Sequence, residues 1–196
     1  MINRFGLAAI VLGCASGFSA NASNLVFADN FDGNTVGLNK APTGWTVTDG
    51  TVDIIGAGYI DFLQGHGYYI DLDGSTNNAG VMSTSLALIA GLTYTAEFSL
   101  AGNQRNGSTE SVAVSFGDAS LIYALPSSQA FATYSLVFSP AISGSYALSF
   151  SNAGGDNVGA LLDDVRVTAV PEPKSLELLL AGGLVVVGAV ARRRDR

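Results

Sequence analysis

The chain has 196 residues, 48% of them hydrophobic and only 13% charged, with 24 glycines and a formal net charge of −7. It is too apolar for a disordered chain, too poor in Lys and Glu for a helical bundle, and too acidic for a nucleic-acid binder. A single cysteine excludes an intrachain disulfide framework and a cysteine-built zinc site.

Residues 1–22 open with Asn3 and Arg4, run apolar through GLAAIVLGCASGF and reach Ala20-Asn21-Ala22. A positive start, a short apolar stretch and an A-x-A site describe a secretory signal peptide, cleaved after Ala22 or close by at Ala20. Val11-Leu12-Gly13-Cys14 is similar to the lipobox of bacterial lipoproteins, in which the cysteine is lipidated. The alternative is that Cys14 is an apolar residue of the signal and leaves with it.

The following segment contains no convincing helical periodicity. It has short alternating runs instead, separated by Gly, Asn, Asp and Ser. Strands are expected at Trp45–Thr48, Thr51–Ile55, Tyr68–Leu72 and Val81–Leu88. In Thr93–Leu100 the pattern places Tyr94, Ala96, Phe98 and Leu100 on one face. In Ser111–Phe116 it places Val112, Val114 and Phe116 inward. Thr133–Phe138 and Tyr146–Phe150 alternate likewise, and in Leu161–Val167 the same parity groups Asp163 with Val165 and Val167. Turn signals recur about every 8–12 residues, among them Asp49-Gly50, Asp73-Gly74, Gly102-Asn103 and Gly154-Gly155, a rhythm that points to a two-sheet sandwich. Residues 23–170 carry 13 acidic and three basic residues, a formal charge of −10, and 11 of the acids are Asp. Asp favours turns and suits hard cations.

The ordered pieces Asn24-Leu25-Val26…Asn30-Phe31-Asp32, Gly44-Trp45-Thr46-Val47, Asp71-Leu72-Asp73-Gly74, Leu92-Thr93-Tyr94-Thr95, Leu100-Ala101-Gly102-Asn103 and Leu162-Asp163-Asp164-Val165 resemble the choice-of-anchor type of bacterial surface domain. That resemblance implies a galactose-binding-like jelly roll. It also implies a structural calcium between the N-terminal loop and the final strand, at Asp32 and Asp163 with Asp164 beside them; relatives often carry Glu where this chain has Asp32. Calcium takes six to eight oxygens, and a carboxylate with inward parity at Asp163 would be costly to bury alone. The competing reading has Asp163 accepting loop amides or open to water.

For carbohydrate, Trp45, Tyr59, Tyr68 and Tyr69 offer aromatic surface, while Glu97, Asn103, Gln104 and Arg105 offer planar polar groups. Trp45 follows a glycine at a strand start, and the resemblance implies that it belongs to the core. The Gly102–Gly107 loop, GNQRNG, is polar in the manner of recognition loops, or is simply a solvated hairpin turn. Tyr68 and Tyr69 are adjacent, so one faces outward if they lie in a strand. Catalysis is poorly supported. His66 is the only histidine and is flanked by glycines, no G-x-S-x-G elbow or H-E-x-x-H occurs, and Glu97 and Glu110 are the only glutamates of the segment.

The tail reads Val170-Pro171-Glu172-Pro173, then a 16-residue apolar segment from Leu176 to Ala191, then Arg192-Arg193-Arg194-Asp195-Arg196. As a helix that segment would span ~24 Å, and long Arg side chains can snorkel to extend it. The arginines favour the cytoplasmic side. The tail resembles the PEP-CTERM sorting signal of Gram-negative exoproteins, defined here by Pro171, Glu172, Pro173 and the cluster Arg192, Arg193 and Arg194. The resemblance implies recognition and removal by an integral-membrane exosortase, after transient inner-membrane anchoring, and sorting to the cell surface or matrix. An uncut single-span anchor is the alternative.

The sequence thus predicts a signal peptide over 1–22, an antiparallel β-sandwich of jelly-roll type over 23–169, and a sorting signal with a transmembrane helix over 170–196. The expected role is a non-catalytic carbohydrate-binding module of the exopolysaccharide or biofilm matrix. The alternatives are a purely structural matrix protein and a surface hydrolase.

Overall fold

Period-two alternation puts one side of each segment in water and the other in a shared interior, and the backbone groups must then pair laterally. The result, a computed structural model describing residues 24–171 apart from Asn106, is built entirely of strands and loops over those residues. The signal-peptide reading with Cys14, and the sorting tail from Glu172 onward with its helix and arginines, lie outside the described residues. Pro171 closes the last strand.

Eleven strands form two antiparallel sheets. The first contains β3 (Asp53–Gly56), β4 (Tyr68–Asp71), β11 (Leu161–Pro171), β6 (Leu92–Ala101) and β9 (Ala132–Phe138) in that spatial order. β6 pairs one edge of β11 along its length. The other edge is shared, with β4 at Leu161–Leu162 and β1 (Asn24–Asp29) at Val165–Ala169. The second sheet runs β2 (Thr46–Thr48), β5 (Val81–Leu88), β10 (Gly144–Asn152), β7 (Thr109–Phe116) and β8 (Ala119–Pro126).

The alternation predicted for β6 and β7 is the one observed: Tyr94, Ala96, Phe98 and Leu100 are buried, as are Val112, Val114 and Phe116. The β6 side chains meet those of β7, together with Phe150, Leu148 and Met82 of the same second sheet, in one cluster, with Phe98 edge-on to Phe150 at 5.1 Å. Each such ring contributes about 1.5–3 kcal/mol by leaving water, and no cross-link is needed. Trp45 belongs to this core. It is only 7% exposed, packs against Phe27, Phe31 and Phe150, and donates its indole N–H to Asp29 Oδ2 at 2.8 Å.

Two expectations change. β8 was not anticipated, because its ASLIYALP pattern leaves Leu121 and Ile122 exposed on an edge strand and breaks clean alternation. More consequentially, Asp163 does not share a face with Val165 and Val167. The β11 register shifts between Asp163 and Arg166, and Asp164 takes a left-handed φ of 50°. This bulge adds one residue, so Leu162 and Val165 both reach the main core while Asp163 falls on the outer side of the first sheet, with Leu161.

Candidate functional site

The outer sides of the two sheets differ. On the second sheet, alternate positions of β5, β7 and β10 present serine and alanine outward, with hydroxyl pairs such as Ser85–Ser145 and Ser115–Ser149 across strands. The first sheet carries the chemically varied face. Glu97 and Ser99 stand outward on β6, opposite Ser135 and Thr133 on β9, and Arg166 is the β11 partner of Glu97.

One end of this face is covered by the loop between β3 and β4. Ile60, Phe62 and Leu63 of that loop, with Phe131, pack on Ile55, Tyr69, Ala101 and Leu161 in a second, smaller cluster. Tyr69 is the outward member of the adjacent tyrosine pair, yet the loop buries it completely. Its hydroxyl accepts the N–H groups of Phe62 and Leu63 and donates to Asp61 Oδ1. Burial pushes this phenol up to about 12. Tyr69 therefore anchors the loop and offers no free ring face to a ligand, and Tyr68 is half-buried against the main core. Tyr59, in the turn directly after β3, is 47% exposed.

The same loop ties together two groups of residues that are far apart in sequence. On one side His66 lies against Phe131 at 4.7 Å, with Nδ1 4.0 Å from Asp163 Oδ2. Asp163 is buried, and burial, reinforced by the nearby Asp164, Asp32 and Asp29 charges, raises its carboxyl to about 7, although the Asp164 N–H bonded to Oδ1 pulls the other way. On the other side the Arg105 guanidinium stacks 4.9 Å over the Phe62 ring. It also donates to Asp71 Oδ2 at 2.6 Å and to the Asn157 carbonyl. Burial raises the Asp71 carboxyl to about 7 against the downward pull of Arg105.

Within the GNQRNG loop, the side chains of Asn103, Gln104 and Arg105 bond inward to other parts of the protein. Asn103 is fully buried, donates to Glu110 Oε1 at 2.6 Å and receives the Arg105 N–H. Gln104, at a left-handed φ of 60°, donates to the Gly102 and Gln129 carbonyls. Polar residues in a loop look alike in sequence whether they face water or a buried partner. The partners here, Asp71, Glu110 and Gln129, come from three other places in the chain.

The calcium set implied by the sequence, Asp32, Asp163 and Asp164, assembles only in part. Asp32 reaches the gap on β11 between β4 and β1, but its Oδ1 accepts the Tyr68 N–H and its Oδ2 the Asn30 amide, both at 2.8 Å. The neighbouring Asp29 is committed to Phe31 N–H and Trp45. Asp164 is turned outward by the bulge, into a cleft of about 420 Å³ shared with Asp29, Asn30 and Arg166. Among the described residues no three His, Cys, Asp or Glu side chains form a metal-holding group. These residues as placed do not fit a carboxylate cage for calcium. Gly67 shows how closely Asp32 is held: it sits at φ 68°, and a Cβ there would fall 2.1 Å from Asp32 Oδ1.

With that geometry in view, comparison with known proteins gives one kind of answer. No protein-family model matches the chain, and no curated protein matches its sequence. Solved structures match by fold. The CBM22-1 xylan-binding domain of Paenibacillus barcinonensis Xyn10C aligns with a TM-score of 0.52 at 14% identity, over 79% of this chain and 100% of that one. TmCBM61 in complex with β-1,4-galactotriose aligns at 0.50 and 16%, over 64% and 88%. The K3 cleaved adhesin domain of Lys-gingipain from Porphyromonas gingivalis aligns at 0.50 and 15%, over 75% and 99%. The described residues therefore form a two-sheet antiparallel β-sandwich, similar in fold to these structures, as the alternating runs led us to expect.

Proposed function

We propose that this protein is a non-catalytic carbohydrate-binding domain, exported by its N-terminal signal and sorted to the cell surface or matrix by an exosortase acting at Pro171-Glu172-Pro173. The observation that carries the reading is the fold. The chain aligns over 79% of its length with the whole of a xylan-binding domain, and over 64% with most of TmCBM61, solved with β-1,4-galactotriose. The outer face of the first sheet supplies a fitting surface. It carries a row of short hydroxyls with Glu97 and Arg166 for hydrogen bonds to sugar hydroxyls, and the loop that covers one end of it adds an exposed aromatic, Tyr59. The cover loop is braced from beneath by Tyr69, so Tyr59 is presented from a supported turn and not from a free chain.

Affinity electrophoresis of the full protein in gels containing xylan, β-1,4-galactan or the producing cell's own exopolysaccharide tests this. We expect retardation by at least one polymer, and its loss in Tyr59→Ala with the melting midpoint unchanged. Migration identical in every gel would refute binding. Intact-mass analysis of the surface fraction tests sorting. A chain that still ends in Arg192–Arg196 outside the inner membrane would refute processing.

The second reading, a structural matrix protein without a defined ligand, is favoured by one observation. Tyr69, Asn103, Gln104 and Arg105, all candidates for sugar contact, are spent on internal bonds.

A further inference from the structure

The strand registers set four outward residues in one row across the first sheet. Ala28 of β1 is opposite Arg166 of β11, Arg166 is opposite Glu97 of β6, and Glu97 is opposite Ser135 of β9. At a strand spacing of about 4.8 Å the row is ~14 Å long. Its first two members, Ala28 and Arg166, also line the cleft of about 420 Å³ between β1 and the β11 bulge. The row and the cleft are therefore one continuous surface.

Ala28, Gly33 and Val165 supply the apolar part of the cleft. Gly33 lies outside the left-handed region, and a Cβ built on it would meet nothing within 4 Å, so the space beside it is open. Two of the polar lining residues are already committed. Asp29 accepts the Phe31 N–H and the Trp45 indole N–H, and Asn30 donates to Asp32. Asp164 and Arg166 are different. The bulge turns Asp164 into the cleft, two positions from Arg166. Their charges are opposite, yet neither side chain makes a hydrogen bond or ion pair among the described residues. The cleft thus offers one group that can only donate and one that can only accept.

We propose that this cleft is a sugar subsite for a neutral glycan, whose chain continues along the Arg166–Glu97–Ser135 row. The proposal rests on the carbohydrate-binding reading and adds Asp164 and Gly33 to it. A hydroxyl both donates and accepts, so neighbouring hydroxyls of one sugar ring can accept from the Arg166 fork and donate to the Asp164 carboxylate together. The C–H side of the ring then covers Ala28 and Val165, and the cleft lies within the ~300–1,000 Å³ range of small-molecule sites. Charge selects the neutral class. Asp29 and Asp164 place two negative charges beside the single positive charge of Arg166, in a segment of formal charge −10 over residues 23–170. An acidic sugar would meet net repulsion there.

The test extends the affinity gels to an acidic polymer. The full chain in mild detergent is run through xylan, β-1,4-galactan, polygalacturonate and the producing cell's exopolysaccharide of measured uronic-acid content, with a polymer-free gel as the mobility reference. We expect retardation by a neutral polymer and none by polygalacturonate. Gly33→Leu, which fills the cleft, should weaken that retardation at least about tenfold. Asp164→Asn keeps a residue type that tolerates the left-handed φ, and should weaken it about 3–10-fold. Both should melt with the unmutated chain; should Gly33→Leu fail to fold, Asp164→Asn decides the matter. Unchanged retardation of either folded variant would overturn the cleft assignment and leave the carbohydrate reading standing. Retardation by polygalacturonate or another acidic polymer alone would overturn the neutral class. No retardation of the unmutated chain in any gel would refute the carbohydrate reading itself, and this subsite with it.

Discussion

Replacing Arg105 with Met tests the account of the loop end most directly. Met keeps an unbranched apolar stem over Phe62 but removes the charge 2.6 Å from Asp71 Oδ2. The Asp71 side chain is 3% exposed and that of Arg105 is 25% exposed, so this pair is largely but not wholly shielded from water. Breaking a buried pair from one side costs about 3–5 kcal/mol, and the partial exposure of Arg105 lowers the expectation to about 2–3 kcal/mol at pH 8. For a domain of this size that is a midpoint drop of ~6–10 °C. The cost should depend on pH in a defined direction. With Arg105 present the Asp71 carboxyl already titrates near 7, and without it the proton is held more tightly still. At pH 5 the folded variant therefore carries a neutral Asp71, and the penalty should shrink to ~1 kcal/mol, the value of the remaining hydrogen bonds and ring contact. The assay is thermal unfolding in chelator at pH 5 and pH 8, for Arg105→Met alone and combined with Asp71→Asn. A neutral amide at position 71 needs no counter-charge, so the double variant should recover at least half of the loss at pH 8. Equal penalties at both pH values, or no recovery in the double variant, would refute the claim that Arg105 works by neutralising a buried carboxylate.

Further outcomes follow from the same geometry. Asp163 titrates near 7 in the folded protein against 3.8 for an ordinary carboxyl, so the folded state binds the extra proton between those values. Its contribution is thus greatest at low pH and is lost as pH rises from about 4 to about 7; in chelator, Asp163→Asn should flatten that fall and melt higher than the unmutated chain at pH 8. Phe98→Ala, at the centre of the main cluster, should cost about 3–5 kcal/mol in urea unfolding with an unchanged slope. Gly102→Ala would place a Cβ 1.9 Å from the Pro126 carbonyl oxygen, and we expect it to cost more than 2 kcal/mol, read as a lowered melting midpoint. A Gly102→Ala protein as stable as the unmutated chain would show that the loop is not held against β8 as described.

Much of the fold was legible in the chain itself. Alternation is a local property of a strand, so the buried sets of β6 and β7, and the all-β class, could be read directly from residues two apart. The burial of Trp45 was expected from its place after a glycine at a strand start and from the resemblance, not from alternation. What the chain alone could not decide was the destination of its polar groups. Asn103, Gln104 and Arg105 carry identical chemistry whether they meet a sugar or meet Glu110, Gln129 and Asp71, and those partners lie between 7 and 34 residues away. The parity of Asp163 was misread because a single left-handed residue at Asp164 adds one to the count, and nothing short of the β11 pairing reveals it. Tyr69 faces outward as adjacency required, but a loop seven residues upstream buries it. Periodicity governs which side of a sheet a residue occupies. Whether that side meets water, a ligand or another loop depends on long-range packing, and here that packing spent most of the candidate ligand contacts on the protein itself.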